Sequence, residues 1–143
     1  MTTNRTMTDR WLELVAASCH GASDADLAAA QAELGVELPD DYRDLMRRAD
    51  GGEAGFGESW IVLWRVSELV ERNRGYEVDG TTFTYFGSNG AGEAYAWDWC
   101  PARRQLYVVI PFIAPEPDAT VACGGDLETF LRTLHAGIPF GQR

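Results

Sequence analysis

Lysine is absent from this chain of 143 residues; all twelve of its Lys/Arg positions are arginine. That excludes a phosphate loop of the G-x-x-x-x-G-K-[ST] kind, which needs a lysine to meet the phosphates. The run GSNGAG at 87–92 superficially resembles such a loop, but it lies between two candidate strands rather than before a helix. Cysteine and histidine are also scarce. Cys19, Cys100 and Cys123 fit no zinc or redox spacing, and His20 and His135 stand at opposite ends of the chain, so no metal site and no cofactor are expected. No serine occupies a G-x-S-x-G elbow and no acidic run has EF-hand spacing. Two carboxylates such as Glu93 and Asp98 could in principle act as acid and base, but any acidic chain of this size offers such pairs. No catalytic residues are assigned and no enzymatic activity is expected.

Long apolar runs are missing too. The longest, Tyr107 to Ala114, is interrupted by Pro111 and is far too short for a bilayer. The N-terminal MTTNRTMTDR has no apolar core of a signal peptide. A cytoplasmic protein with no membrane partner and reduced thiols is the expectation. Positive charge is in deficit: the net charge is −10 and the pI about 4.5. Nucleic acid is therefore not an expected ligand, since phosphate neutralisation needs basic residues in excess. A basic protein partner would be attracted over distance, although the same charge can serve solubility alone.

What is present is ordinary for a globular protein: 45% hydrophobic and 24% charged residues, enough chain for one domain with a real core. The expected division is a tail at 1–8, a single domain at 9–137 and a tail at 138–143. Asp9 to Ser18 reads as a short helix. Ser23, three residues before Asp26, caps a second helix that runs to Leu34 with Leu27, Ala30 and Leu34 on one face, and Gly35 stops it. Pro39 suits the first position of a third helix. Asp40, Asp41 and Asp44 load its start, Arg47 and Arg48 its end, in accord with the helix dipole, and Gly51-Gly52 closes it. After a Gly-rich loop, Trp60 to Trp64 (WIVLW) reads as a buried strand, and Ser67 can cap a short helix to Asn73. Strands are predicted over Thr82–Phe86, Glu93–Trp99 and Leu106–Ile110, joined by short turns as an antiparallel meander. Asp126 caps a final helix with Leu127, Phe130, Leu131 and Leu134 at helical spacing. Helices, then strands, then one helix predicts an α+β fold with helices packed on a small antiparallel sheet.

The ordered motifs resemble those of the SUKH superfamily, the Smi/Knr-like group. They are Glu33-Leu34-Gly35 with Leu38-Pro39-Asp40-Asp41-Tyr42, then Gly51-Gly52, a Trp/Ile/Leu strand running into Ser67-Glu68-Leu69, Phe86-Gly87 to Gly92-Glu93 leading into Tyr95-Ala96-Trp97-Asp98, and Asp126 to Leu131. Together they span roughly residues 20–136. The resemblance implies an α+β fold without catalysis. Many bacterial members are immunity proteins that neutralise a cognate polymorphic toxin, often a nuclease; others are regulatory or scaffold proteins. The expected function is accordingly a non-catalytic, protein-binding immunity domain for a basic toxin, with a regulatory or scaffold module as the alternative. The sequence leaves the oligomeric state open.

Six residues are candidate partner contacts: Asp50, Glu53, Glu58, Glu93, Trp97 and Asp98. Asp50, Glu53 and Glu58 lie among glycines in a ten-residue stretch, 50–59, without arginine; it reads either as a mobile acidic lip or as a merely solvated loop. Tyr95, Trp97 and Trp99 share one face of a strand. Such a row is either core or, if exposed, a binding surface. Asp98 between two tryptophans needs a partner or water. Acidic residues also concentrate in the C-terminal half (Glu77, Asp79, Glu93, Asp98, Glu116, Asp118, Asp126, Glu128), and if they converge they would mimic a phosphate backbone.

Overall fold

A computed structural model describes residues 5–17, 20–76, 82–100, 106–113 and 119–137. The expected end of the first helix at Ser18, the thiol of Cys19, the acids Glu77, Asp79, Glu116 and Asp118, the bend at 101–104 and the terminal tail at 138–143 lie outside those residues.

Three helices open the chain: α1 (Met7–Val15), α2 (Asp24–Leu34) and α3 (Asp40–Arg48). α1 begins two residues earlier than its apolar pattern suggests and ends at Val15, three residues short of the expected Ser18. Thr6 accepts from the Asp9 N–H, and the Asp9 carboxylate accepts from the Thr6 N–H, a reciprocal cap. α2 has the predicted ends: the Ser23 hydroxyl accepts from the Asp26 N–H at 3.1 Å, and Gly35 takes the left-handed conformation that stops it. Pro39 is the residue that caps α3, one position before the helix, with extended ψ. Tyr42, Leu45, Met46 and Ala49 form the buried stripe.

The sheet is a six-stranded antiparallel meander in chain order. Its strands are β1 (Gly52–Phe56), β2 (Ser59–Leu63), β3 (Phe83–Ser88), β4 (Glu93–Asp98), β5 (Tyr107–Pro111) and β6 (Val121–Gly124). α4 (Leu69–Gly75) stands between β2 and β3, and α5 (Leu127–Ala136) follows β6. The α+β class is thus observed. Two strands differ from the sequence reading: the Gly-rich "loop" forms β1, and β6 follows the proline-rich segment. GEAGF carries little intrinsic β-preference. It is held because it pairs with β2 along its whole length and buries Phe56 edge-on against Trp11 at 6.1 Å. Ser67 caps nothing; it lies inside one 3-10 turn (Val66–Glu68), where the Glu68 carboxylate accepts from the Arg65 N–H.

One face of the sheet meets α3 and α5 in an aromatic core. Phe86 stacks on Trp97 at 4.5 Å, Tyr42 meets Trp97 edge-on at 4.6 Å, and Phe130 packs against Tyr95, Phe86 and Tyr107. Phe86 reaches this face through an irregularity in the β3–β4 register between Tyr85 and Gly87. β2 pairs with β3 only at Val62–Ser88 and Leu63–Gly87. Farther along, the buried Asn73 takes the place of a strand. Its amide donates to the Tyr85 carbonyl and its carbonyl accepts from the Tyr85 N–H, both at 2.9 Å, so this stretch of β3 backbone is satisfied by a side chain.

Candidate functional site

From Gly52 on, the acidic stretch 50–59 belongs to the β1–β2 hairpin, which is clasped to α5. The Glu58 N–H donates to the His135 carbonyl at 3.0 Å, and the Ser59 hydroxyl donates to the Leu134 carbonyl. At Gly57 (φ 58°) the backbone comes so close to α5 that a Cβ would lie 2.3 Å from the His135 oxygen. These contacts correct the picture of a free-moving lip: the hairpin is a fixed ridge. Asp50 stands before it, half-buried, with its carboxylate accepting from the Val66 N–H at 2.7 Å. Burial pushes its pKa up, against the lowering effect of that hydrogen bond. Its role in the structure is to fasten the chain between α3 and the 3-10 turn.

Glu53 and Glu58 are exposed. Among the described residues neither enters an ion pair, whereas the helical acids pair along and between helices: Glu33 with Arg74, Asp24 and Asp44 with Arg47, Glu68 with Arg72. The Glu58 side chain runs past Gly137 at the C-terminal end of α5. The helix dipole disfavours a negative charge there, so this acid does not stabilise the helix it touches.

The strand WIVLW behaves differently from the buried strand expected of it. Ile61 and Leu63 turn inward, at 0% and 3% exposure, while Trp60 faces out with 46% of its surface accessible. Its ring lies along two glycines: a Cβ on Gly55 would be 3.7 Å from its six-membered ring, and one on Gly90 3.4 Å from Cδ1. The indole N–H donates to Glu53 Oε2 at 3.1 Å, and the Trp60 carbonyl accepts the buried Tyr95 hydroxyl at 2.8 Å. Sequence reasoning missed Trp60 because an unbroken apolar run hides its period of two. The signal available was the glycine at 55, which cross-strand pairing sets opposite Trp60.

The other three candidates are not part of this ridge. Trp97 is fully buried in the aromatic core and cannot meet a partner without unfolding. Asp98 is 4% exposed and accepts from the Cys100 N–H at 3.1 Å. Glu93 is half-buried at the other end of β4, about 17 Å away at strand rise, with Oε1 accepting from the Asn89 amide. A continuous acidic surface in the C-terminal half is not assembled from the described acids: Asp98 is buried, Asp126 caps α5 by accepting from the Thr129 N–H at 2.7 Å, and Glu128 accepts from the Met7 and Thr8 N–H groups at the start of α1.

Among the described residues no group of three or more His, Cys, Asp or Glu side chains is placed to hold a metal ion, and no helix is long and apolar enough to cross a membrane. Two open depressions of about 430 Å³ flank α1 (Leu12, Glu13, Ala16 and Arg48 among their walls) and α4 (Glu68, Arg72 and Tyr76). Cys123 is buried, which pushes its thiol up to about 12 and leaves it a poor nucleophile.

With the helix–sheet order in place, residues 21–133 match the model of the SMI1/KNR4 family (SUKH-1). The chain belongs to this family. The match covers all six described strands and every described helix except α1, with α5 included to Thr133. No curated protein matches the chain. SUKH domains typically bind partner proteins and are generally non-catalytic immunity proteins.

Proposed function

We propose that this SUKH-1 protein is an immunity protein that binds a basic toxin one-to-one and blocks it, the toxin being of a class, such as a nuclease, that exposes cationic residues. The observation that carries this reading is the β1–β2 ridge. Two exposed carboxylates, Glu53 and Glu58, have no ion-pair partner among the described residues, on a hairpin bonded at its turn to α5. A rigid, unpaired charge loses little conformational entropy on docking and steers an oppositely charged partner. The net charge of −10 acts in the same direction at longer range, and family membership supports protein binding without catalysis. The test is co-expression with the toxin-like product of the neighbouring gene, read as host survival. Survival together with a complex on gel filtration supports immunity. Death, with no complex formed by any neighbouring product, counts for a regulatory module instead.

A further inference from the structure

Trp60 is the large exposed aromatic of the ridge. An indole buries on the order of 150–250 Å² when it is covered, so leaving nearly half of one in water forgoes a sizeable stabilisation. The ring is nevertheless held firmly. Gly55 and Gly90 lie along it and Glu53 accepts from its N–H, while the Tyr95 hydroxyl holds the main-chain carbonyl of Trp60 in the strand beneath. An aromatic fixed before contact and flanked by a carboxylate presents a π-face and a negative charge to one incoming group. That combination suits a cation.

The same chain contains a completed version. Arg72 lies 5.0 Å over the Trp64 ring, with its guanidinium 3.1 Å from Glu68. Trp64 is 4% exposed, so its indole is covered. Trp60 and Glu53 supply the indole and the carboxylate of such a trio, but among the described residues no arginine stacks on Trp60. Residues 50–64 contain no basic residue that could fold over it from the hairpin itself.

We infer that Trp60 and Glu53 form a receptor for an arginine side chain of a protein partner, the guanidinium stacking on the indole while Glu53 accepts its N–H groups. The identity of that partner as a toxin rests on the function proposed above; the receptor chemistry does not. Arginine suits it better than lysine because its planar fork can stack and hydrogen-bond at once. Truncating an aromatic hot spot of this kind typically weakens binding by tenfold or more.

The experiment uses the full chain, labelled with ¹⁵N, and titrates it with an octa-arginine peptide, following the indole N–H resonances. The Trp60 indole peak should move furthest and saturate. The isosteric octa-citrulline peptide, without charge, should leave it in place. Glu53→Gln keeps an acceptor for the indole and should weaken binding about fivefold; Trp60→Ala, at an exposed site, should leave the fold intact and weaken it at least about tenfold. A Trp60 peak that stays still while other peaks move, or equal shifts with citrulline, would overturn the receptor. Toxin protection that persists in Trp60→Ala would also overturn it while leaving immunity standing; arginine binding at Trp60 without any toxin protection would do the reverse.

Discussion

The Asp41 carboxylate accepts the Tyr107 hydroxyl at 2.7 Å through Oδ1, and through Oδ2 it accepts the Leu127 N–H, also at 2.7 Å. One side chain at the start of α3 thus fastens β5 and the first turn of α5. Burial and the Asp41 charge both push the Tyr107 pKa up, so the phenol remains a donor. Asp41→Ala would strand a buried hydroxyl and a helix N–H together. It should cost about 2–4 kcal/mol in urea unfolding, and Tyr107→Phe about 1 kcal/mol. Equal and small effects would mean that water replaces the clasp.

Asn73 should be intolerant of a charge. Its amide donates to the Leu69 and Tyr85 carbonyls, and Asn73→Asp would aim a carboxylate at both. Asn73→Asp should destabilise more than Asn73→Ala, which itself should cost about 2–3 kcal/mol. Hydrogen exchange at Tyr85 is the local readout: its N–H should lose protection in Asn73→Ala, which removes its acceptor, and keep more of it in Asn73→Asp, which retains one.

Two glycines should respond in opposite ways to alanine. At Gly21 a Cβ would lie 1.7 Å from the Arg47 carbonyl oxygen, where the chain crosses α3 and the Ala22 N–H donates to the Met46 carbonyl. Gly21→Ala should cost about 3 kcal/mol or more. Gly75, at the end of α4, has open space around it, and Gly75→Ala should be neutral or stabilising by about 0.5 kcal/mol. Thermal unfolding of the pair checks both signs.

Alkaline stability follows from the buried thiol and phenols. Burial raises Cys123 from 9.0 to about 12 and also raises Tyr42, Tyr95 and Tyr107. A raised pKa contributes stability that is intact below the unfolded value and is lost as pH climbs towards the folded one. Unfolding free energy should therefore fall from about pH 9 upward, first through Cys123 and then through the tyrosines. Cys123→Ala should flatten the onset near pH 9; an unchanged onset would contradict the assignment.

Association with a basic partner should slow as salt rises, because Glu53 and Glu58 are exposed and screening sets in beyond about 8–10 Å at physiological ionic strength. Stopped-flow on-rates at two salt concentrations provide the check, and a salt-independent rate would remove the steering role of the ridge.

Features set by local chemistry were legible in the sequence. Ser23, Gly35 and Asp126 bound their helices as read, because each cap involves residues within one turn. Features set by partners distant in the chain were not. β1 exists through its pairing with β2 and the contact of Phe56 with Trp11, and GEAGF alone does not announce it. Asp41 read as a dipole acid and Glu128 as one of the C-terminal acids, yet their carboxylates reach 86 and about 120 residues along the chain. The candidate site was half legible. Glu53 and Glu58 stood out by their lack of nearby arginine, whereas Trp60 vanished into an apolar run and the row containing Trp97 proved to be core.

The β1–β2 ridge is the proposed contact surface for a basic toxin. Its most direct test is survival of a host co-expressing the neighbouring toxin-like product with this chain, compared with Glu53→Gln/Glu58→Gln. The natural chain should protect, and the double variant should protect less at equal expression and unfolding free energy. Full protection by the double variant, with an undiminished complex on gel filtration, would contradict it.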